Sequence, residues 1–222
     1  RMDRIFILNP NSSETVTQAM ARSVALIAGG LTARAEFGTL AGAPEGIETQ
    51  EDVEQVIAPT VERLRAEPAA AYVIGCFSDP GLAPARAEMS APVVGIAEAA
   101  YGEAMQLGGG FGVVSIVQAS IGRHLKALTS LGFESFLAGD RALDMGVAEM
   151  ADEARALDRI TEIGRQLRDT DGARSLILGC ASMGVYRAEI ERRIGLPVID
   201  PVQAGALRAA TLLTLAYPTS NS

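Results

Sequence analysis

The chain has 222 residues, 48% of them hydrophobic and 21% charged, enough to bury one large α/β domain or two small ones. Its net charge of −8 offers no broad basic field for nucleic acid or anionic lipid. Only 5% is aromatic and Trp is absent, so the core must be aliphatic.

Residues 5–8 read as a short buried strand. Asn11 with Glu14 three positions on is a capping-box pattern, which starts a helix over 12–27 that Gly29 and Gly30 stop. Residues 32–37 read as a strand, and 38–50, rich in turn formers, as a loop able to cover a site. A charged surface helix over 52–65 precedes a strand over 71–75 that runs into Cys76. Asp79-Pro80 opens the next helix with Asp79 as its cap, and Pro84 delays the regular turns to about 83–90. A strand over 93–96 and a helix over 97–106 lead to Gly108-Gly109-Gly110, a break without the spacing of a phosphate loop. A strand over 111–116 follows, then a helix over 120–131 stopped by Gly132, a short strand over 133–137 and a long helix over 145–168. Residues 175–178 enter Cys180, followed by a helix over 184–193, a strand over 197–199 and a last helix over 202–216. Strands alternating with helices predict α/β architecture with mainly parallel sheets covered on both faces.

One stretch occurs twice: an apolar strand into Gly-Cys, a turn, a helix and a second short strand. Pro92 follows Cys76 by 16 positions and Pro197 follows Cys180 by 17. The repeat reaches further back, since Asn9 precedes Cys76 by 67 positions and Ser115 precedes Cys180 by 65. The chain is therefore expected to form two pseudo-symmetric α/β halves, 1–99 and 100–199, with the cleft between them. A C-terminal helix over about 200–222 is expected to return onto the first half. Each cysteine would sit where a strand ends, the place where open α/β sheets put their chemistry.

A thiolate is a competent base and a thiol a competent acid. Backbone N–H groups after each cysteine, at 77–79 and 181–183, could form nests that steady a thiolate or an enolate-like charge. Stereoinversion needs one such group on each face of a carbon, and Cys76 with Cys180 would meet that need. The plainer reading of a strand-end cysteine is a small buried hydrophobe. Asn11 reads as a cap, and Asn9 and Ser115 as either turn residues or ligand contacts.

Other chemistries are poorly supplied. Of the 19 Lys and Arg residues only Lys126 is Lys, and it lies in RHLKAL on the polar side of a predicted helix, away from any Schiff-base role. His124, the single His, reads as a solvated helix residue. A zinc site would need His124, both cysteines and a carboxylate at no recognised spacing, and a Ser-His-Asp triad has no GxSxG elbow here. No metal and no cofactor are expected. No stretch approaches the roughly 18–20 apolar residues of a membrane helix, and residues 5–8 are too short for a signal-peptide core. With two cysteines this predicts a cytoplasmic location and no membrane partner.

NPNSS after the first strand, GCFSDPGL, PVVGIAEAA, LGCASM and PVIDPVQAG together resemble the hydantoin and allantoin racemases of the aspartate/glutamate racemase superfamily. The resemblance covers most of the chain and is weak at about 30–43 and 133–145. It implies two α/β domains around a cleft, two-base proton transfer by Cys76 and Cys180, no cofactor, and homo-oligomers. Ser182 departs from the Gly usual in these racemases, and Ile116 and Ala119 stand where a hydroxyl residue and an Arg are usual. Amino-acid racemases of the superfamily place Thr near the cysteines for the α-carboxylate, whereas Phe77 and Ala181 follow directly here. That apolar flank suits a neutral ring, a 5-substituted hydantoin or related cyclic ureide, as the small-molecule substrate. Asn9, Ser115 and the stretches Phe77-Ser78 and Ala181-Ser182 would position it. An amino-acid racemase, a decarboxylase or isomerase of the same superfamily, and a two-lobed ligand-binding protein remain the alternatives.

Overall fold

A computed structural model describes residues 3–146 and 149–217. The first half contains β1 (Arg4–Asn9), α1 (Glu14–Ala25), β2 (Arg34–Thr39), α2 (Gln50–Arg65), β3 (Ala71–Ile74), α3 (Leu82–Glu88) and β4 (Val93–Gly95). Helix α4 (Ile96–Leu107) leads into the second half, with β5 (Phe111–Ser115), α5 (Gln118–Leu131) and β6 (Leu137–Ala142). It continues with α6 (Glu153–Asp169), β7 (Ser175–Leu178), α7 (Arg187–Ile194), β8 (Val198–Ile199) and α8 (Pro201–Leu215). Each half forms a four-stranded sheet, β2-β1-β3-β4 and β6-β5-β7-β8, and every pairing is parallel. The α/β reading and the twofold repeat thus meet in two sheets of identical strand order.

The buried strands are aliphatic. Ile5, Ile7, Val73 and Val94 share one cluster with Ala206, Ala209 and Ala210 of α8, whose small side chains let that helix lie close on β1, β3 and β4. Val114, Leu176 and Leu178 share another with α6 and α7. A further cluster joins the halves, with Phe77, Tyr101 and Phe111 packed with Leu128, Ile177 and Ile199.

Several predicted boundaries move for identifiable reasons. The cap of α1 is Ser13, whose side chain accepts from the Val16 N–H, while Asn11 accepts from the Ser13 N–H one turn earlier. Residues 134–136 form a 3-10 turn, and the strand expected over 133–137 comes later, as β6. Being an edge strand, β6 carries Gly, Asp and Arg and has no apolar alternation to show. The long helix begins only at Glu153, with Asp152 as its cap; residues 147 and 148 of its expected range lie outside those described.

Asp79 does not cap the helix that follows it. The residue stands at φ 46°, and its carboxylate crosses to α4, accepting from the N–H groups of Ala97 at 3.0 Å and Glu98 at 2.9 Å. The second half reaches the same end from the other side. There Asp200 caps its own helix, α8, accepts from the Val202 N–H and also takes the Ser23 hydroxyl. Glycine faces the acid in each case, Gly95 opposite Asp79 and Gly184 opposite Asp200, because a Cβ there would occupy the space of the carboxylate.

The Gly-Cys repeat also has a backbone reason. The N–H of Gly75 donates to the Leu8 carbonyl and that of Gly179 to the Val114 carbonyl, both at 2.8 Å. A Cβ at Gly179 would stand 2.6 Å from the Val114 oxygen, whereas one at Gly75 would mainly meet the flexible end of Met20, at 2.5 Å. Gly179→Ala should therefore destabilise the fold by about 1–3 kcal/mol, and Gly75→Ala by less. Urea unfolding of the two variants tests this order, and equal midpoint shifts would contradict it.

Candidate active site

The turns after β3 and β7 bring Cys76 and Cys180 to one cavity of about 70 Å³. Both thiols are free and partly covered. Phe77 and Ser78 line the cavity beside Cys76, and Ala181 and Ser182 line it beside Cys180. Asn9 and Ser115 do not line it. Each stands at the end of its central strand, buried behind the wall. Asn9 donates to the Asn11 side chain at 2.7 Å and to the Ser13 carbonyl at 3.0 Å, which fixes the turn that puts Asn11 in the lining.

Val16, Ile47, Ile116 and Val117 supply the apolar part of the remaining wall, and Asn11, Glu48, Ser120, Arg123 and His124 its polar part. Gly46, Ile47 and Glu48 belong to the loop before α2, read from sequence as a cover. Arg123 ties that loop down by donating to the Glu48 carbonyl at 2.9 Å. Each half closes over the other's cysteine. Val16 of α1 packs with Ala181, and His124 of α5 meets the Phe77 ring edge-on at 5.0 Å.

Several lining residues were not anticipated as site residues, Arg123 and His124 among them. Arg123 lies beside Cys76, and His124, expected in solvent, is buried at 4% exposure. His124 Nδ1 is 2.8 Å from an Asp140 carboxylate oxygen, and the Ser115 hydroxyl donates to the other oxygen at 2.5 Å. The sequence did hold a signal. His124 falls between Ile121 and Leu128 at the spacing of one helix face, and Leu128 is fully buried.

Burial governs the titration of the thiols. It pushes Cys76 up to about 12, against a weaker pull from the Ser78 N–H, with Asp79 and the Cys180 sulfur adding to the rise. Cys180 is also raised by burial, and the Ser182 hydroxyl, 3.2 Å from the sulfur, and its N–H oppose this. The sequence suggested that the turns after the cysteines would favour the thiolate. Their N–H groups do so, but desolvation outweighs them. A negative charge on the Cys180 sulfur would make ionisation of Cys76 harder still. Behind the pair, burial raises Asp79 to about 7 and Asp200 to about 6, over the opposing pull of their backbone N–H partners. Among the described residues no group of three His, Cys, Asp or Glu side chains is placed to hold a metal ion.

Two like α/β halves thus bring one thiol each, from facing strand ends, to a single cleft. The profile of the Asp/Glu/Hydantoin racemase family matches residues 5–209, and the chain belongs to that family. It is 34% identical to a hydantoin racemase of Paenarthrobacter aurescens, over 99% of this chain and 94% of that one. A hydantoin racemase of Rhizobium meliloti is 31% identical over 97% and 91% of the two chains. The crystal structure of an allantoin racemase from Pseudomonas fluorescens superposes with a TM-score of 0.91 at 26% identity, over 98% and 93% of the chains. No helix among the described residues is long and apolar enough to cross a membrane.

The burial of Cys76 makes a kinetic prediction. With its pKa near 12 the thiolate fraction at pH 8 is about one in ten thousand. Iodoacetamide labelling of Cys76, followed by peptide mass analysis, should climb roughly tenfold per pH unit from pH 8 past pH 10. A plateau near pH 9 would show an ordinary solvated thiol instead.

Proposed function

We propose that the enzyme racemises 5-substituted hydantoins or a related cyclic ureide, with Cys76 and Cys180 exchanging acid and base roles. The single observation that carries the reading is the arrival of both cysteines, one from each sheet, at the same small cavity. The names of the relatives at 34% and 31% identity support the substrate class.

One cysteine, as thiolate, removes the proton on C5. The C–H electron pair moves into an enolate over C5, C4 and the adjacent carbonyl oxygen. The opposite thiol then returns its own proton to the other face of C5, so thiol and thiolate change places and the ring leaves inverted. A thiolate formed against desolvation is a strong base, which suits a weak carbon acid. The N–H groups of Ser78 and Ser182 favour the charged sulfur on either side. An enolate gains stabilisation from donors already held in place, since they need not reorganise. The apolar side chains of Val16, Ile47, Phe77, Ile116 and Val117 suit the carbon frame and substituent of a neutral ring. Two unoxidised thiols in one cavity suit a reducing cytoplasm.

Cys76→Ser and Cys180→Ser should each lower racemisation by on the order of 10³-fold or more, followed by polarimetry on a resolved 5-substituted hydantoin. Each variant should still exchange the C5 proton for solvent deuterium in one enantiomer only, with opposite preferences. Full racemisation by either variant would refute two-base transfer.

A further inference from the structure

The halves differ behind their strand ends. In the first half, Asn9, Thr17 and Thr39 make a neutral cluster, with Asn9 donating to Thr17 at 3.1 Å and the two Thr hydroxyls 2.7 Å apart. In the second half the corresponding place holds Ser115, His124 and Asp140, which can carry charge and direct a proton. The neutral cluster stays behind the wall, whereas His124 lines the cavity.

Three contacts fix the imidazole. Asp140 holds Nδ1 at 2.8 Å, Ser115 Oγ lies 3.2 Å from the same nitrogen, and the edge of Phe77 abuts the ring at 5.0 Å. The Ser115 hydroxyl already donates to Asp140, so its oxygen faces Nδ1 as an acceptor. A bare Nδ1 would set lone pair against lone pair on both partners, and the ring proton therefore belongs on Nδ1. In the neutral form of the ring with its proton on Nδ1, the acceptor is Nε2, on the edge away from Asp140. Among the described residues Nε2 has no hydrogen-bond partner.

We propose that His124 is a substrate-orienting residue whose Nε2 accepts a hydrogen bond from a ring N–H of the bound cyclic ureide, holding C5 toward Cys76. Asp140 and Ser115 act through it as positioning residues. The proposal rests on the hydantoin reading and deepens it by naming the group that reads the ring nitrogen. A site built to accept from an N–H discriminates against an analogue lacking that hydrogen, because its own polar atom is left unpaired.

Because His124 is the single His in the chain, 15N-His labelling reports on it alone. The Cys76→Ser/Cys180→Ser double variant would be titrated with a 5-substituted hydantoin, with binding followed independently by calorimetry. The free protein should show a proton on Nδ1, and the ligand should shift the Nε2 resonance while Nδ1 stays protonated. In the unmodified enzyme, methylating the ring nitrogen that His124 reads should raise KM roughly tenfold. That penalty should vanish in His124→Leu and largely persist in His124→Gln, whose side chain can still accept. Binding without movement of Nε2, or equal methylation penalties in all three proteins, would overturn the proposal. If no hydantoin binds and the unmodified enzyme turns none over, the substrate reading fails, and this inference fails with it.

Discussion

The cleft depends on two short backbone contacts, Gly75 to the Leu8 carbonyl and Gly179 to the Val114 carbonyl. Each draws a cysteine-bearing turn against the end of the central strand of its sheet. Because the two sheets share one strand order, the contacts place equivalent turns at equivalent positions. The reactive pair thus depends on main-chain geometry that a single methyl group would disturb.

That geometry carries an electrostatic consequence. A cavity small enough to bury two thiols also disfavours their ionisation. The sulfurs discourage each other, and Asp79 and Asp200 stand behind them. A thiolate formed there is a stronger base than a solvated one, because burial disfavours its charge. The buried aspartates have a structural task as well, since each caps the helix that follows the last strand of its half.

Pseudo-symmetry is therefore used and broken. The two aspartate–glycine pairs are mirror solutions to one packing problem, with the acid supplied from opposite sides of the same contact. The clusters behind Asn9 and Ser115 differ in kind, and only the second half sends an imidazole to the cavity. Unequal walls thus surround two equivalent thiols.

The sequence by itself determined the parallel α/β architecture, the twofold repeat and the placement of Cys76 and Cys180 at strand ends. Apolar runs, glycine stops and spacing are local properties that survive in one dimension. It also indicated the linings beside each cysteine, since Phe77, Ser78, Ala181 and Ser182 follow directly in the chain. Only the tertiary structure decided that Asp79 caps α4, that Asn9 and Ser115 support the wall from behind, and that His124 turns inward. Asp79, Ser115 and His124 depend on partners distant in sequence, for His124 on Asp140 of an edge strand with no apolar alternation, whereas Asn9 is held by its own turn and helix. Desolvation of the thiols was likewise beyond the sequence, because burial is set by what the other half brings across the cleft.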